Sequence, residues 1–378
     1  MKIAFISLLK TYSWGGSEEL WTQVATHALS EGNEILVSVK YWETLHPKKK
    51  LLMDRGAKFD FRDSPIPKLN IFSRAIKKVK RNFSNTTTGW NSLISFKPDI
   101  VCISSGGTYD IVDDRNLTDT LHRYKIPYIL INQLNYENLP LPDKFRERAL
   151  LIFQKARKIC FVAKRNLATA ERNLVTRLNN AVVVSNPVNM AGRDIIPMPD
   201  FTDEILFASV ARLDALYKGQ DILLEIFSSD KWKSRKWKLN FYGAGPDEHY
   251  LRELVAFYGL ENRVVLNGNV SDIEKVWAAN HIQLMPSFAE GTPLALVEAM
   301  ICGRPAVVTN VGDNAALIDD SVNGFVAESQ ALESFDRALE KAWENRMRFE
   351  ELGRNAHEKA MDHIDFSSYL KIYGYLSN

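Results

Sequence analysis

Cysteine is scarce in this chain, and long apolar runs are absent from its sequence. The 378 residues include three cysteines, Cys102, Cys160 and Cys302, which are widely spaced. They form neither a disulfide framework nor a metal-site pattern, so we expect a protein of the reducing cytoplasm. No apolar run approaches the roughly 18–20 residues that span a bilayer. The first strand-like run, "KIAFISLL", resembles a short signal-peptide core but lacks a cleavage site, and we interpret it as a buried strand.

Charge of neither sign dominates the whole chain, but the two signs are unevenly distributed. Residues 1–190 hold 29 Lys and Arg against 17 Asp and Glu, giving +12. The remainder holds 19 against 29, giving −10, so the net charge is +2. This uneven distribution of charge predicts two lobes with different functions. A basic lobe could bind an anionic acceptor, a membrane surface or a nucleic acid. Lys and Arg side chains that are simply solvated on the surface of one lobe explain the excess of positive charge equally well.

Residues 67–83, "PKLNIFSRAIKKVKRNF", concentrate this basic charge beside apolar side chains. A basic amphipathic helix can lie at a membrane interface. A surface helix that packs on its own sheet is the simpler interpretation of the same pattern.

Short β-rich runs alternate with helical patterns, which predicts parallel sheets with crossover helices. Six such runs precede the segment "SNPVNMAGRDIIPMPDFTD", and five follow it. That segment is rich in Pro, Gly and Asp, and we interpret it as a linker. The predicted fold class is therefore α/β, with two facing Rossmann-like domains and a ligand cleft between them. The predicted ranges are 1–188, 189–360 and, for a C-terminal helix that packs back on the first domain, 361–378.

Two cations follow one strand of the second half. Arg212 comes directly after "EILFASVA", and Lys218 lies six residues further on, before a helical pattern. Ligands bind at the carboxyl ends of strands in open α/β sheets. A guanidinium and an ammonium at that position suit a phosphate group.

Two glycine-rich segments also follow strands. "GAGP", which begins at Gly243, lets the backbone approach a ligand closely, or is a plain loop. "TYSWGGSEEL" places Gly15 and Gly16 before a helix that Ser17 could cap. Because neither segment is GxGxxG, the dinucleotide fingerprint is absent.

The segment "AEGTPLALVEAM" places a helix start between two glutamates. Thr292 and Pro293 are a good N-cap and first-turn pair, and Gly303 is a usual terminator. We therefore predict a helix over about 293–302.

Glu290 then lies in the loop before this helix, and Glu298 lies inside it. The free N–H groups of Leu294 and Ala295 suit an anion such as a pyrophosphate. Both carboxylates can accept hydrogen bonds from hydroxyl groups. A helix-dipole role for Glu290 and an ion pair for Glu298 are the alternatives.

Residues 286–328, "PSFAEGTPLALVEAMICGRPAVVTNVGDNAALIDDSVNGFVAE", resemble the E-x7-E signature region of a known family. It is the large family four of retaining, nucleotide-sugar-dependent glycosyltransferases, which have the GT-B fold. The resemblance extends to "WGGSEEL", "SNPVN", "ARLDALYKGQD" and "GAGP", and it covers most of the second lobe and the first loop of the first. E-x7-E alone is non-specific, but five motifs in order are a strong signal.

The resemblance implies roles for individual residues. Arg212 and Lys218 would hold the donor diphosphate, Glu290 would bind hydroxyls of the donor sugar, and Glu298 would bind the ribose. The first three form the implied catalytic set. The implied donor-binding set is Gly15, Gly16, Gly243, Asn269, Val270, Gly291, Thr292, Pro293, Leu294 and Glu298, with the backbone near Asn269 reading the base.

The resemblance also implies the cofactors and partners. Two cations and a helix N-terminus can stabilise a departing nucleoside diphosphate, and the Asp-x-Asp motif is absent from the sequence. We therefore expect no metal and no other cofactor. The expected partners are a nucleotide sugar and a glycan, lipid-linked or small-molecule acceptor of polysaccharide biosynthesis, without nucleic acid. We expect a cytoplasmic enzyme, with a peripheral contact at the inner face of the membrane as an option.

One departure from the family concerns a histidine that follows a first-lobe strand in many relatives. The corresponding strand here, "PYILIN", ends at Asn132 and Gln133, which we assign to the acceptor or sugar side. Two alternatives therefore stay open: a GT-B nucleotide-sugar 2-epimerase and a non-catalytic nucleotide-sugar-binding protein.

Overall fold

The structure is a computed structural model that describes residues 1–63, 90–137, 140–188, 190, 192–201 and 204–377. The basic segment 67–83 lies outside the described residues. Among the residues that are described, no helix combines the length and the apolarity needed to cross a bilayer.

A seven-stranded parallel sheet organises the first domain. Its strand order is β3-β2-β1-β4-β5-β6-β7, so the direction of chain order reverses between β1 and β4. The central strands β4 and β5 begin with apolar residues because helices cover both faces, and they carry polar residues toward their carboxyl ends. The strands are β1 Lys2–Ser7, β2 Glu34–Lys40, β3 Lys58–Arg62, β4 Ile100–Gly107, β5 Tyr128–Leu134, β6 Lys158–Phe161 and β7 Ala181–Val183.

The two faces of this sheet belong to separate apolar clusters. Phe5 and Cys102 face the first helix, and Ile103 and Leu130 face the helices on the opposite side. The helices in the described part of this domain are α1 Gly16–Ser30, α2 Pro47–Asp54, α3 Asn91–Phe96, α4 Asp110–Asp113, α5 Arg115–Arg123, α6 Asp143–Lys155 and α7 Lys164–Leu174.

A six-stranded parallel sheet organises the second domain. Its order is β10-β9-β8-β11-β12-β13, with the reversal between β8 and β11. Phe207 and Leu284 pack on one face and Met285 and Val308 on the other. The strands are β8 Ile205–Val210, β9 Trp237–Tyr242, β10 Val264–Leu266, β11 Ile282–Met285, β12 Ala306–Thr309 and β13 Gly324–Ala327.

The helices of the second domain connect these strands and end on the first domain. The last helix packs on α1, where Asn33 donates its side-chain amide to the Tyr373 hydroxyl at 3.1 Å. The helices are α8 Ala215–Lys218, α9 Gln220–Phe227, α10 Asp230–Lys233, α11 Glu248–Phe257, α12 Ile273–Ala278, α13 Leu294–Ile301, α14 Asn314–Leu317, α15 Leu332–Glu344, α16 Phe349–His363 and α17 Ser368–Ser377, with a 3-10 turn at Arg346–Arg348.

Three local features differ from the sequence-based expectations. The sequence pattern does not predict β3, an edge strand that alternates charged and aromatic residues, or β13, which has four residues. Ser17 is not a helix cap, because α1 begins at Gly16 with Gly15 as its N-cap. The domain boundaries at 188 and 360 stay predictions.

Candidate active site

The carboxyl ends of the two sheets face each other across a cleft. The loops after β1 and β4 flank the reversal of the first sheet, and those after β8 and β11 flank the reversal of the second. Ligands bind in the crevice at such reversals. Asn166 of α7 donates its side-chain amide to the carbonyl oxygen of Glu290 at 3.3 Å, which joins the two domains beside this crevice.

Lys218 and Glu290 meet in the cleft. The Lys218 ammonium lies 2.6 Å from Glu290 Oε1, and Ser287 donates its hydroxyl to the same oxygen at 2.7 Å. Lys218 ends α8 because Gly219 follows with a φ of +64°. A Cβ at Gly219 would meet the Pro286 carbonyl, so glycine alone lets this turn approach the β11 loop. The turn therefore positions the lysine opposite the glutamate.

Arg212 has a different carboxylate partner. Its guanidinium lies 2.8 Å from Asp214 Oδ2 and 4.2 Å from the ring centre of Tyr12, a residue of the first domain. Burial raises the pKa of Asp214, whereas Arg212 and, more weakly, Lys218 lower it. Each cation is therefore paired with its own carboxylate, Arg212 with Asp214 and Lys218 with Glu290.

The helix that separates the two glutamates begins one residue later than predicted. The α13 helix starts at Leu294, and its N-cap is Pro293 rather than Thr292. The hydroxyl of Thr292 instead donates to the Val162 carbonyl of the first domain at 2.7 Å. The same oxygen accepts a hydrogen bond from the Asn186 N–H at 3.3 Å, so its contacts lie outside its own helix, which explains the difference.

Two helix N-termini face each other in the cleft. The α1 helix starts at Gly16 and α13 at Leu294, and a Cβ on Gly16 would lie 3.4 Å from Leu294 Cδ1. A Cβ on Gly15 would meet the ring of Tyr12. First-turn N–H groups lack acceptors within their helix, and each N-terminus carries a partial positive charge. The pair of helices therefore forms a second source of positive potential for an anion.

Gly291 also marks a close contact between the domains. A Cβ at this position would meet the backbone carbonyl of Gln133. This glycine therefore allows the Glu290 loop to lie directly on the end of β5.

Glu298 lies inside α13, as predicted, and faces the first domain. Burial raises its pKa to about 7, with a further increase from Glu19 and a decrease from Lys48. Lys48 itself pairs with Glu19, which accepts a hydrogen bond from the Trp14 indole at 3.1 Å. Glu298 is therefore a carboxyl group that changes charge near neutral pH.

Asn132 and Gln133 lie within β5, which continues to Leu134, two residues beyond the end of the predicted run "PYILIN". Successive residues of a strand point to opposite faces. Gln133 Oε1 accepts a hydrogen bond from Asn186 at 2.6 Å, and within the described residues its Nε2 has no partner. Both polar atoms of the Asn132 side chain are buried and unpartnered in the same part of the chain.

The residues that we predict for the base side follow β9 and β10. Gly243 has a φ of +138°, and its N–H donates to the Gly268 carbonyl at 2.8 Å. A Cβ there would meet the Ala211 carbonyl, so the close approach that requires glycine is to the neighbouring backbone. Asn269 and Val270 follow in an exposed loop.

Three residues of the site were not predicted from the sequence: Asp214, Ser287 and Tyr12. Asp214 lies two positions after Arg212, and Ser287 three before Glu290, so both are inside the quoted motifs. Their residue types alone do not distinguish them from solvated polar groups. Only the folded loops show which cation or carboxylate each one contacts.

Comparison with solved structures identifies the fold. The Anabaena protein HepE in complex with UDP and glucose superimposes with a TM-score of 0.71 over 100% of this chain and 99% of its own, at 19% identity. A lipopolysaccharide outer core galactosyltransferase gives a TM-score of 0.66 over 100% and 99%, at 18% identity. The predicted GT-B architecture is confirmed.

Sequence comparison supports the superfamily. Residues 195–359 match the family model described as glycosyl transferases group 1. The poly(ribitol-phosphate) alpha-N-acetylglucosaminyltransferase of Staphylococcus aureus is 23% identical over 78% of this chain and 58% of its own length. An uncharacterized glycosyltransferase of Haemophilus influenzae is 27% identical over 43% and 46%. The chain thus matches about half the length of these relatives, and together the matches support a glycosyltransferase.

Proposed function

We propose that this protein is a retaining glycosyltransferase that uses a UDP-sugar donor. In the proposed reaction, the bond between the anomeric carbon and the diphosphate oxygen breaks. A bond from that carbon to an acceptor oxygen forms on the same face of the sugar. The hydroxyl proton of the acceptor goes to the departing diphosphate, so the products are the glycoside and UDP.

The observation that carries this proposal is the joint position of two cations and two helix N-termini. Arg212 and Lys218 both follow β8 and pair with Asp214 and Glu290, and α1 and α13 begin on opposite sides of the cleft. Positive groups that are fixed before the reaction stabilise the charge that develops on a leaving diphosphate. This arrangement suits a nucleoside diphosphate better than a neutral ligand, and we propose that it acts without a metal ion.

The roles of the glutamates follow from their contacts. Glu290 is held by Lys218 and Ser287 next to the phosphate site, which suits hydrogen bonding to the transferred sugar. Glu298 lies further along α13, where a carboxylate can accept hydrogen bonds from both ribose hydroxyls. UDP is the proposed nucleotide because HepE, which shares the fold, was solved with it.

Gln133 takes the place of the histidine of many relatives in this proposal. Its Nε2 group is buried and has no partner in the described residues, so it has hydrogen atoms available for a sugar oxygen. The 2-epimerase alternative would require an acid and a base at this point. An amide can supply neither, so the transferase is favoured.

A panel of UDP- and GDP-sugars, incubated with the protein, tests the proposal. We expect one UDP-sugar to release UDP, slowly by hydrolysis and faster with an acceptor, with retention at the anomeric carbon by NMR. Isomerised donor without nucleotide release would instead establish the epimerase. Thermal protection by nucleotide sugars without any turnover would establish the non-catalytic binder.

A further inference from the structure

Four residues that follow strand ends lie near Arg212 or near one another. They are Tyr12 after β1, Asp110 after β4, Tyr136 after β5 and Tyr217 after β8. We call these four residues the aromatic rim. The proposed function assigns a role to none of them.

The rings of the aromatic rim lie close to one another and to Arg212. The Arg212 guanidinium is 4.2 Å from the ring centre of Tyr12 and 5.8 Å from that of Tyr217. The rings of Tyr136 and Tyr217 have centres 5.8 Å apart and are inclined at 43°. Tyr136 is 36% exposed, so one large ring is open to solvent directly beside the proposed phosphate site.

Asp110 supplies a carboxylate to the same place. Its Oδ2 accepts a hydrogen bond from the Gly107 N–H at 2.8 Å, which fixes the side chain at the end of β4. Burial raises the pKa of Tyr136, and the neighbouring Tyr217 and then the carboxylates of Asp110 and Asp214 raise it further. Burial also raises the pKa of Tyr12, Arg212 lowers it, and Glu18 and then the carboxylates of Asp214 and Asp110 raise it further. Both rings therefore lie within electrostatic reach of Asp110 in the first domain and Asp214 in the second.

We propose that the aromatic rim binds a pyranose unit of the acceptor, so that the acceptor ends in a sugar rather than in an open-chain polyol or a bare phosphate headgroup. This inference rests on the proposed function, because Arg212 then marks the side from which the acceptor hydroxyl reaches the donor sugar.

The chemistry of the rim matches a pyranose in two ways. The C–H groups on one face of the ring are weakly positive and pack on the negative face of an aromatic ring. The hydroxyl groups at its edge donate to a carboxylate such as Asp110. A bare phosphate would be repelled by Asp110, and an open-chain polyol presents no flat apolar face. Apolar walls with a few fixed polar groups are typical of small-molecule sites.

Acceptor turnover and acceptor binding can be measured separately. With the UDP-sugar that releases UDP fastest, we expect methyl pyranosides to be glycosylated, and ribitol and glycerol phosphate to be inert. Ligand-observed NMR in the presence of UDP should detect the same methyl pyranosides on the protein. Tyr136→Ala should raise the KM for the pyranoside about tenfold, as expected for one lost aromatic contact, and leave the affinity for UDP unchanged.

Two matched controls separate this role from general effects. Tyr124→Ala removes an exposed tyrosine of the same domain at the end of α5 and should leave the acceptor KM unchanged. Asp110→Asn keeps an oxygen for Gly107 but loses the charge, and should raise the acceptor KM, whereas Asp113→Asn on the exposed side of α4 should not.

The two proposals fail in different ways. Transfer to ribitol or glycerol phosphate in preference to pyranosides would overturn the rim assignment while the transferase stands. An unchanged acceptor KM in Tyr136→Ala would also overturn it. Pyranoside binding that depends on Tyr136, without UDP release from any donor, would support the rim and contradict the transferase.

Discussion

At the residue scale, the two cations of the cleft should matter for turnover rather than for stability. Each is partly exposed and pairs with a single carboxylate, Lys218 with Glu290 and Arg212 with Asp214. We predict that Arg212→Ala or Lys218→Ala lowers kcat by about 10²–10³, the effect of one well-placed group on transition-state charge. Initial rates of UDP release and thermal unfolding of the same samples would measure both quantities.

Exposed cations of the second domain provide the controls. Arg252 pairs with Glu248 within α11, and Lys275 is an exposed residue of α12. Alanine at either position should leave kcat unchanged. Near-normal turnover in the Arg212 or Lys218 variant would remove the phosphate assignment.

The two glutamates should affect different kinetic constants. Glu290 lies at the proposed reacting sugar, so Glu290→Gln should lower kcat by misplacing that sugar relative to the leaving group. Glu298 lies at the proposed ribose, which is bound alike in ground and transition states, so Glu298→Gln should raise KM. Kinetics and UDP titrations of both variants test this division. The opposite pattern, with nucleotide affinity lost only in Glu290→Gln, would reverse the two roles.

The charge of Glu298 should make donor binding depend on pH. Burial raises the pKa of this carboxyl to about 7 in the ligand-free protein. Ribose hydroxyls donate to the ionised form, so affinity should rise by about tenfold from pH 6 to pH 8. Because the pKa is raised above its ordinary value, the stability of the ligand-free fold should fall as pH rises through about 7.

Binding of the nucleotide sugar itself should be measured, because the terminal phosphate of UDP titrates near pH 6. Glu298→Gln should flatten the profile. If the affinity of Glu298→Gln depends on pH as that of the unsubstituted protein does, the pH dependence belongs to another group.

At the scale of elements, the start of one helix of the first domain lies beside a carboxylate of the second domain. Ala163 is the N-cap of α7 and supplies no side-chain acceptor; burial raises the pKa of Asp313 to about 6, and the backbone N–H and the charge of Lys164, at the start of α7, lower it. The backbone of Asp313 also donates to the Gly291 carbonyl at 3.3 Å. The start of α7 is therefore connected to the loop that carries Glu290.

We predict that Asp313→Ala costs about 1 kcal/mol at this helix end, as for other lost caps. The first amides of α7 should then exchange with solvent about fivefold faster, measured by hydrogen exchange. Asp313→Asn keeps an acceptor oxygen and should lose less stability at this helix end. Asp272 caps its own helix α12 by accepting a hydrogen bond from the Lys275 N–H, so Asp272→Ala should change hydrogen exchange in α12 alone. Unchanged exchange of the first α7 amides in Asp313→Ala would refute the contact between Asp313 and α7.

The local elements were largely readable from the sequence, and the exceptions have physical causes. Apolar runs identify the buried strands, but β3 alternates charge with aromatic residues because it lies at an edge. Thr292 has the residue type of an N-cap, yet its hydroxyl donates a hydrogen bond to the Val162 carbonyl in the other domain. Local propensity cannot foresee a partner that only the folded chain brings near.

At the scale of the whole molecule, the contacts between domains were invisible in the sequence. The pattern predicts two domains and the residues after each strand, but not which loops touch. The approach of Gly291 to Gln133 and of Tyr12 to Arg212 depends on how the two sheets face each other. The loops that carry Arg212, Lys218 and Glu290 were therefore predictable from motifs, whereas the contacts of these loops with the first domain were not.

The division of charge along the chain leads to a prediction about the membrane. Residues 1–190 carry +12 and the remainder −10, so an anionic surface should attract the first domain and repel the second. We expect the protein to co-sediment with vesicles that contain anionic lipid at low salt and to dissociate as salt screens the charges. Replacing Lys77 and Lys78 by glutamate should weaken binding by at least about tenfold, since each lysine near the surface contributes about 1 kcal/mol. The matched change of Lys231 and Lys233 to glutamate, in the second domain, should have little effect. Equal binding to neutral vesicles, or none to anionic vesicles at low salt, would show that the basic charge only solvates the first domain.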